Sequence, residues 1–186
     1  MTNMDKVSMK TYKIYKWCHY SNFIPRIQLI SQVNYLSQSG CIVFDESCKY
    51  EIAERSCVNK LFGFCFGFGV HKNSVRFGWT YNAPTNQIYI WKYFYINGKL
   101  EKEKIFACEV GEPHFYEIIV DRANNIKDTY FITLKIDNKK ICPADNCYDS
   151  IKSNKCFITT LGPYFGGNSR APHTMKIEYY GTLKKL

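Results

Sequence analysis

Four residues at every second position, Tyr89, Trp91, Tyr93 and Tyr95, offer the clearest chemistry in this sequence. Residues two apart in an extended strand point to the same side. These four therefore line one face, while Ile88, Ile90, Phe94 and Ile96 line the other, interrupted only by Lys92. The aliphatic side is the natural core face. The opposite row presents aromatic faces that stack on the C–H patches of sugar rings, with phenol and indole groups to hydrogen-bond. The same row suits nucleobases. Across the turn Asn82-Ala83-Pro84-Thr85-Asn86, Trp79 and Tyr81 extend this surface if the strand register allows it. The competing reading is a second buried face, covered by a loop or by neighbouring sheet.

Two further segments carry polar groups beside glycines. One is Gly69-Val70-His71-Lys72-Asn73-Ser74-Val75-Arg76-Phe77-Gly78-Trp79; the other is Leu161-Gly162-Pro163-Tyr164-Phe165-Gly166-Gly167-Asn168, followed by Ala171-Pro172-His173. Glycines let a backbone or a ligand approach closely, and His71, Asn73, Arg76, Tyr164, Asn168 and His173 supply directional groups there. The plainer alternative makes Gly166-Gly167 a turn, with Asn168 satisfying backbone groups.

Enzymatic patterns are sparse. A retaining glycosidase needs two carboxylates about 5 Å apart; Glu101-Lys102-Glu103 has the spacing but follows a hairpin turn among lysines, and Asp45-Glu46 cannot share a strand face. A uronate lyase needs a Tyr or His base and an Arg, Gln or Asn to neutralise the carboxylate. Arg76, His71, Asn168, Tyr164 and His173 are the available parts, but the full set of motifs of alginate lyase relatives is not recognisable. No phosphate-cradling loop, nucleophile elbow or metal cluster turns up. No catalytic residue, metal site or cofactor is assigned from sequence.

The elements that must position these groups are strands. Period-two alternation recurs at residues 11–18, 26–30, 41–44, 60–68, 74–81, 87–96, 104–110, 115–121, 129–136, 156–161 and 173–180. Asn97-Gly98 is a type I′ hairpin signal, and Asp137-Asn138 closes another hairpin. The only helical candidate is a short turn over residues 51–58. About ten short strands at such spacing predict a sandwich. The expectation is an all-β, concanavalin- or lectin-like jelly roll of two antiparallel sheets over residues 11–186, preceded by a loose leader over 1–10.

Composition agrees. A chain of 186 residues suits one sandwich domain, and 15 Tyr and 13 Phe favour strands. The net charge of +9 favours acidic or phosphate-bearing partners. Its lysines are scattered, so no sequence-specific nucleic-acid arm is expected. Nine cysteines at irregular spacing, an odd count with no preceding secretory signal, read as reduced thiols. Cys142 and Cys147 lack a nearby histidine, which argues against zinc. No apolar run is long enough for a membrane span.

The motifs Lys60-Leu61-Phe62-Gly63, His71-x-Asn73-Ser74-x-Arg76-Phe77-Gly78-Trp79 and Pro163-Tyr164-Phe165-Gly166-Gly167-Asn168-x-x-Ala171-Pro172-His173, with Lys16-x-x-His19-Tyr20-Ser21, resemble those of a group of small proteins. These are concanavalin-like jelly-roll proteins of Bacteroides-type gut bacteria and their tailed phages, crAss-like phages among them. The resemblance spans residues 12 to 180 and brings no catalytic residues. It implies a phage-related product made in the bacterial cytoplasm without a signal peptide, and able to associate with virions. The leading expectation is a non-catalytic module that binds glycan or serves as a virion accessory protein, with oligomers as an option. Two alternatives stay open: an intracellular factor that binds nucleotides or a host defence protein, and a uronate-directed polysaccharide lyase.

Overall fold

The computed structural model describes residues 10–51, 57–124, 126–141 and 149–186. Its strands, in chain order, are β1 (Lys10–Ile14), β2 (Ile27–Leu29), β3 (Tyr35–Phe44), β4 (Asn59–Phe66), β5 (Ser74–Asn82), β6 (Gln87–Ile96) and β7 (Lys99–Glu109). They continue with β8 (His114–Arg122), β9 (Thr129–Ile136), β10 (Lys139–Ile141), β11 (Asp149–Lys152), β12 (Phe157–Leu161) and β13 (Met175–Lys185). Two antiparallel sheets result. One runs β2-β12-β4-β5-β6-β7, and the other runs β1-β13-β3-β8-β9-β10, with β11 also paired to β9.

Alternation decides what each strand buries. Val75, Phe77 and Trp79 of β5 and Ile88, Ile90 and Phe94 of β6 face Leu36, Ile42 and Phe44 of β3 and Ile118 and Val120 of β8 in a continuous core. Burying one such large side chain contributes roughly 1.5–3 kcal/mol, so this interdigitated layer fixes the register of both sheets. Lys92, the one charge in the inward row of β6, is also buried. Its ammonium extends along that face to within 3.9 Å of Glu101 at the sheet edge.

The β6 and β9 boundaries follow the alternation in the sequence, and both turn signals act as expected. Asn97 and Gly98 take φ of 51° and 85°, and Asp137 and Asn138 take 49° and 64°. Several strand segments depart from the sequence reading: β1 stops at Ile14, and β13 runs on to Lys185. The first half of β3 carries Ser37, Gln38, Ser39 and Gly40, polar residues that hide its alternation. The charged start of β7 forms an edge strand, where lysines and glutamates protect unpaired backbone. Strands β10 and β11, three and four residues long, are too short to show a period. Of the expected leader only Lys10 is described, and it opens β1. Residues 52–56 of the expected helical turn, and Cys142 and Cys147, lie outside the described residues. The seven described cysteines are free thiols.

Candidate functional site

Register assembles a site on the outer face of the six-stranded sheet. With Val75, Phe77 and Trp79 turned inward, Ser74, Arg76, Gly78 and Thr80 face out. They lie opposite Tyr95, Tyr93, Trp91 and Tyr89 respectively. The aromatic row of β6 is therefore the outer row. The same register pairs Trp79 with Ile90 and Tyr81 with Ile88. Both residues thus belong to the core face rather than extending the platform: Trp79 is 0% exposed, and Tyr81 packs against the core with its hydroxyl donating to Asn86 Oδ1.

Arg76 forms the floor. A Cβ at Gly63, its register partner on β4, would run into Arg76 and the Val75 carbonyl; the missing side chain lets the guanidinium lie down against β4. There an Arg76 terminal nitrogen donates to Leu61 O at 3.0 Å and Gly162 O at 2.7 Å, while Nε has no partner. Burial lowers its pKa to about 10, so it remains a fixed positive charge at neutral pH.

Lys60 lies beside it on β4, opposite Gly78. The lysine is only 9% exposed. Its Nζ donates to Gly166 O at 2.9 Å and sits 4.7 Å from the Tyr93 ring centre and 5.6 Å from that of Tyr164. Desolvation, then the Arg76 charge, push this ammonium down to about 8. Tyr93 is held protonated by burial first and by its hydrogen bond with Tyr95, against the opposing pull of Arg76. Burial and Tyr20 likewise raise Tyr164.

The loop carrying Tyr164 is clamped to β4. Lys60 and Tyr164 exchange backbone hydrogen bonds. Asn59 accepts from Gly166 N at 2.6 Å and donates to Tyr50 Oη at 2.7 Å. Gly166 has φ +68°, a conformation that costs a residue with a Cβ. His19 stacks on Tyr164 at 5.2 Å and 10°, and its Nδ1 donates to Phe165 O at 2.9 Å. Asn59→Ala would leave the Gly166 N–H without its acceptor and take one of two partners from the buried Tyr50 hydroxyl, costing about 1–3 kcal/mol. Urea unfolding measures this; an unchanged midpoint would show that the loop does not depend on Asn59.

Around this centre the remaining residues sort by position. Trp91 donates its indole N–H to Thr80 Oγ1 at 2.9 Å, and the Tyr89 hydroxyl accepts from Asn82 Nδ2 at 2.9 Å. Lys104 lies 4.2 Å over the Tyr89 ring, and Lys102 pairs opposite Tyr93. His71 is exposed at the far end, 5.0 Å from Tyr95. Asn168 is exposed on the clamped loop. Two expected ligand residues have other partners. Asn73 is 5% exposed and holds a turn together through Asn97 N and Lys152 O. His173 hydrogen-bonds Ser47 O near the start of β13, in the other sheet.

The centre of this face is cationic and phenolic. Glu101 and Glu103 pair with Phe94 and Lys92 and so share the opposite face of the sheet, which removes the one carboxylate pair with glycosidase spacing. Among the described residues no three His, Cys, Asp or Glu converge to hold a metal. The residue that sequence reasoning missed is Lys60. It lay in a quoted motif, but a lysine in a strand reads as solvent-facing unless the glycine opposite and the loop above are known.

No family model matches this chain, and no curated protein does. Solved structures with the same fold do. A double mutant of the alginate lyase Aly36B, in complex with alginate trisaccharide, is similar with a TM-score of 0.68 and 13% identity, over 97% of this chain and 83% of that one. The alginate lyase vAL-1 from Chlorella virus gives 0.61 and 12% over 100% and 88%. The endo-β-1,4-glucuronan lyase of the fungus Trichoderma reesei gives 0.51 and 10% over 95% and 79%. The chain is an all-β jelly roll of two antiparallel sheets.

Proposed function

We propose that the outer face of the six-stranded sheet binds an acidic polysaccharide and cleaves it by β-elimination next to a uronate. One observation carries this reading. A buried lysine, lowered to about 8, is packed against two protonated phenols beside a fixed guanidinium.

Each group has a task. Arg76 offsets the uronate carboxylate charge, which acidifies the proton on the adjacent C5. The neutral Lys60 amine, oriented by its hydrogen bond to Gly166 O, takes that proton with its lone pair. The released electron pair forms a C4–C5 double bond as the C4–oxygen bond breaks, and the Tyr93 phenol gives its proton to the departing oxygen. The Lys60 proton then returns to solvent and Tyr93 is reprotonated. Trp91 and Tyr89, their polar atoms already bonded, present ring faces to the neighbouring sugars. Lys102 and Lys104 line the same side with positive charge. The solved relatives support this reading: one Aly36B structure, with a lysine and a tyrosine replaced by alanine, holds an alginate tetrasaccharide. Those are the residue types of Lys60 and Tyr93.

The test is incubation with alginate, glucuronan and a neutral glucan, followed by ultraviolet absorbance of the new double bond. Product from a uronan and none from the neutral glucan is expected. The rate should rise with pH and level off above about 8, because the reactive lysine is the unprotonated one and burial lowers its pKa to that value. A rate that falls across that range would contradict Lys60 as the base. The aromatic row supports a second reading, a glycan-binding module without catalysis. Retention on immobilised alginate with no unsaturated product would favour it.

A further inference from the structure

A second opening lies between the sheets, at the edge where β1 and β13 of one face β12 and the segment before β2 of the other. It is a cavity of about 850 Å³, lined among others by Tyr12, Phe23, Arg26, Gln38, Thr160 and Tyr179. It is separate from the Arg76 face. Thr159 of β12 pairs with the outward Cys65, so Thr160 beside it points inward, opposite the core residue Phe64.

The space has an identifiable cause. Inward positions of β3 and β13 at this level carry Gln38 and Gly40, and Tyr179 and Gly181, where aliphatic residues would otherwise fill the layer. Gly40 and Gly181 are register partners. A Cβ on either would strike the Tyr179 ring. The two glycines therefore let that ring lie flat, stacked at 3.9 Å on Phe62 and with its hydroxyl donating to Ser39 O at 3.1 Å. A flattened tyrosine and an amide in place of two core side chains leave the cavity.

Its lining is selective. Lys10 and Arg26 contribute positive charge, and no carboxylate is among the lining residues. Tyr12 and Phe23, with ring centres 5.9 Å apart, supply an apolar wall. Gln38 is 8% exposed, and its Oε1 has no hydrogen-bond partner. The other end of this amide hydrogen-bonds the Tyr179 hydroxyl, and Oε1 itself is closed off from solvent. A buried acceptor left unmatched is costly, and rotation of the amide towards the cavity lets a ligand donor satisfy it. That donor is a hydroxyl, because an ammonium would meet the two cations.

We propose that this cavity is a second binding site, for a small hydroxylated organic acid. The carboxylate turns to Arg26 and Lys10, a hydroxyl donates to Gln38 Oε1, and the apolar face rests on Tyr12 and Phe23. Sugar acids and hydroxyaryl acids share this chemistry. The volume lies within the ordinary range for small-molecule sites.

Titration calorimetry on the full chain with glucuronate and para-hydroxybenzoate tests this, with glucose and benzoate as analogues lacking the charge or the hydroxyl. At least one hydroxy acid should bind one to one, its analogue about tenfold more weakly. Arg26→Ala, at an exposed position, and Gln38→Glu, which keeps the shape and reverses the charge preference, should each weaken binding by about tenfold or more. Trp91→Ala, which removes an outer-face ring without touching the Phe23 segment, should leave it unchanged. Such a result stands whether or not the outer face cleaves polysaccharide. Absence of binding by both acids, binding indifferent to Arg26 and Gln38, or binding lost in Trp91→Ala would overturn the proposal.

Discussion

Lys60→Met is expected to slow release of unsaturated product by roughly three orders of magnitude while leaving affinity for the intact polysaccharide within a few-fold. Methionine keeps the apolar stem against Tyr93 and Tyr164 but has no lone pair to accept the C5 proton. A loss of that size corresponds to about 4 kcal/mol of barrier, within what positioned acid–base groups supply. Lys60→Arg should fail nearly as badly, because a guanidinium stays protonated at every accessible pH. A variant that lost binding and turnover together would make Lys60 a charge for the substrate rather than a base. Equal turnover in Lys60→Met would remove it from the chemistry altogether.

Trp79→Ala should cost about 3–5 kcal/mol of stability, whereas Trp91→Ala should cost little and weaken glycan binding. Trp79 is fully buried, 5.3 Å from Phe44 and 5.7 Å from Tyr50 between ring centres. Truncation leaves a cavity that two rigid sheets close only in part. For a domain of this size the change lowers the melting temperature by about 10 °C. Trp91 stands on the outer face, where solvent replaces the lost ring. Similar melting points for the two variants would contradict the inward and outward assignments of β5 and β6.

That contrast shows how far sequence reasoning reaches here. Alternation in β6 separates Ile88, Ile90 and Phe94 from Tyr89, Trp91, Tyr93 and Tyr95, and the sandwich divides them the same way. It does not say how β5 pairs with β6. A one-residue change of register would put Trp79 beside Trp91 instead of Ile90, and only the turn geometry settles it. Asn73 and His173 looked like ligand residues because polar groups beside glycines suit binding and turn-making equally; what separates the two uses is the partner found in space. Lys60 depends on contacts far apart in sequence, with Gly166 106 positions away. Its neighbours Arg76, Tyr93 and Tyr164 were each visible as candidates. Their convergence around one buried amine was not, because it follows from three strands and a clamped loop meeting at Gly63 and Gly78.

The most direct test is a crystal structure of the Lys60→Met variant soaked with a uronate tetrasaccharide. The account predicts the sugar chain across β4, β5 and β6, a carboxylate against the Arg76 guanidinium, a ring over Trp91, and the Tyr93 hydroxyl near a glycosidic oxygen. An oligosaccharide seated on the seven-stranded sheet, or one that leaves Arg76 and Tyr93 untouched, would contradict it.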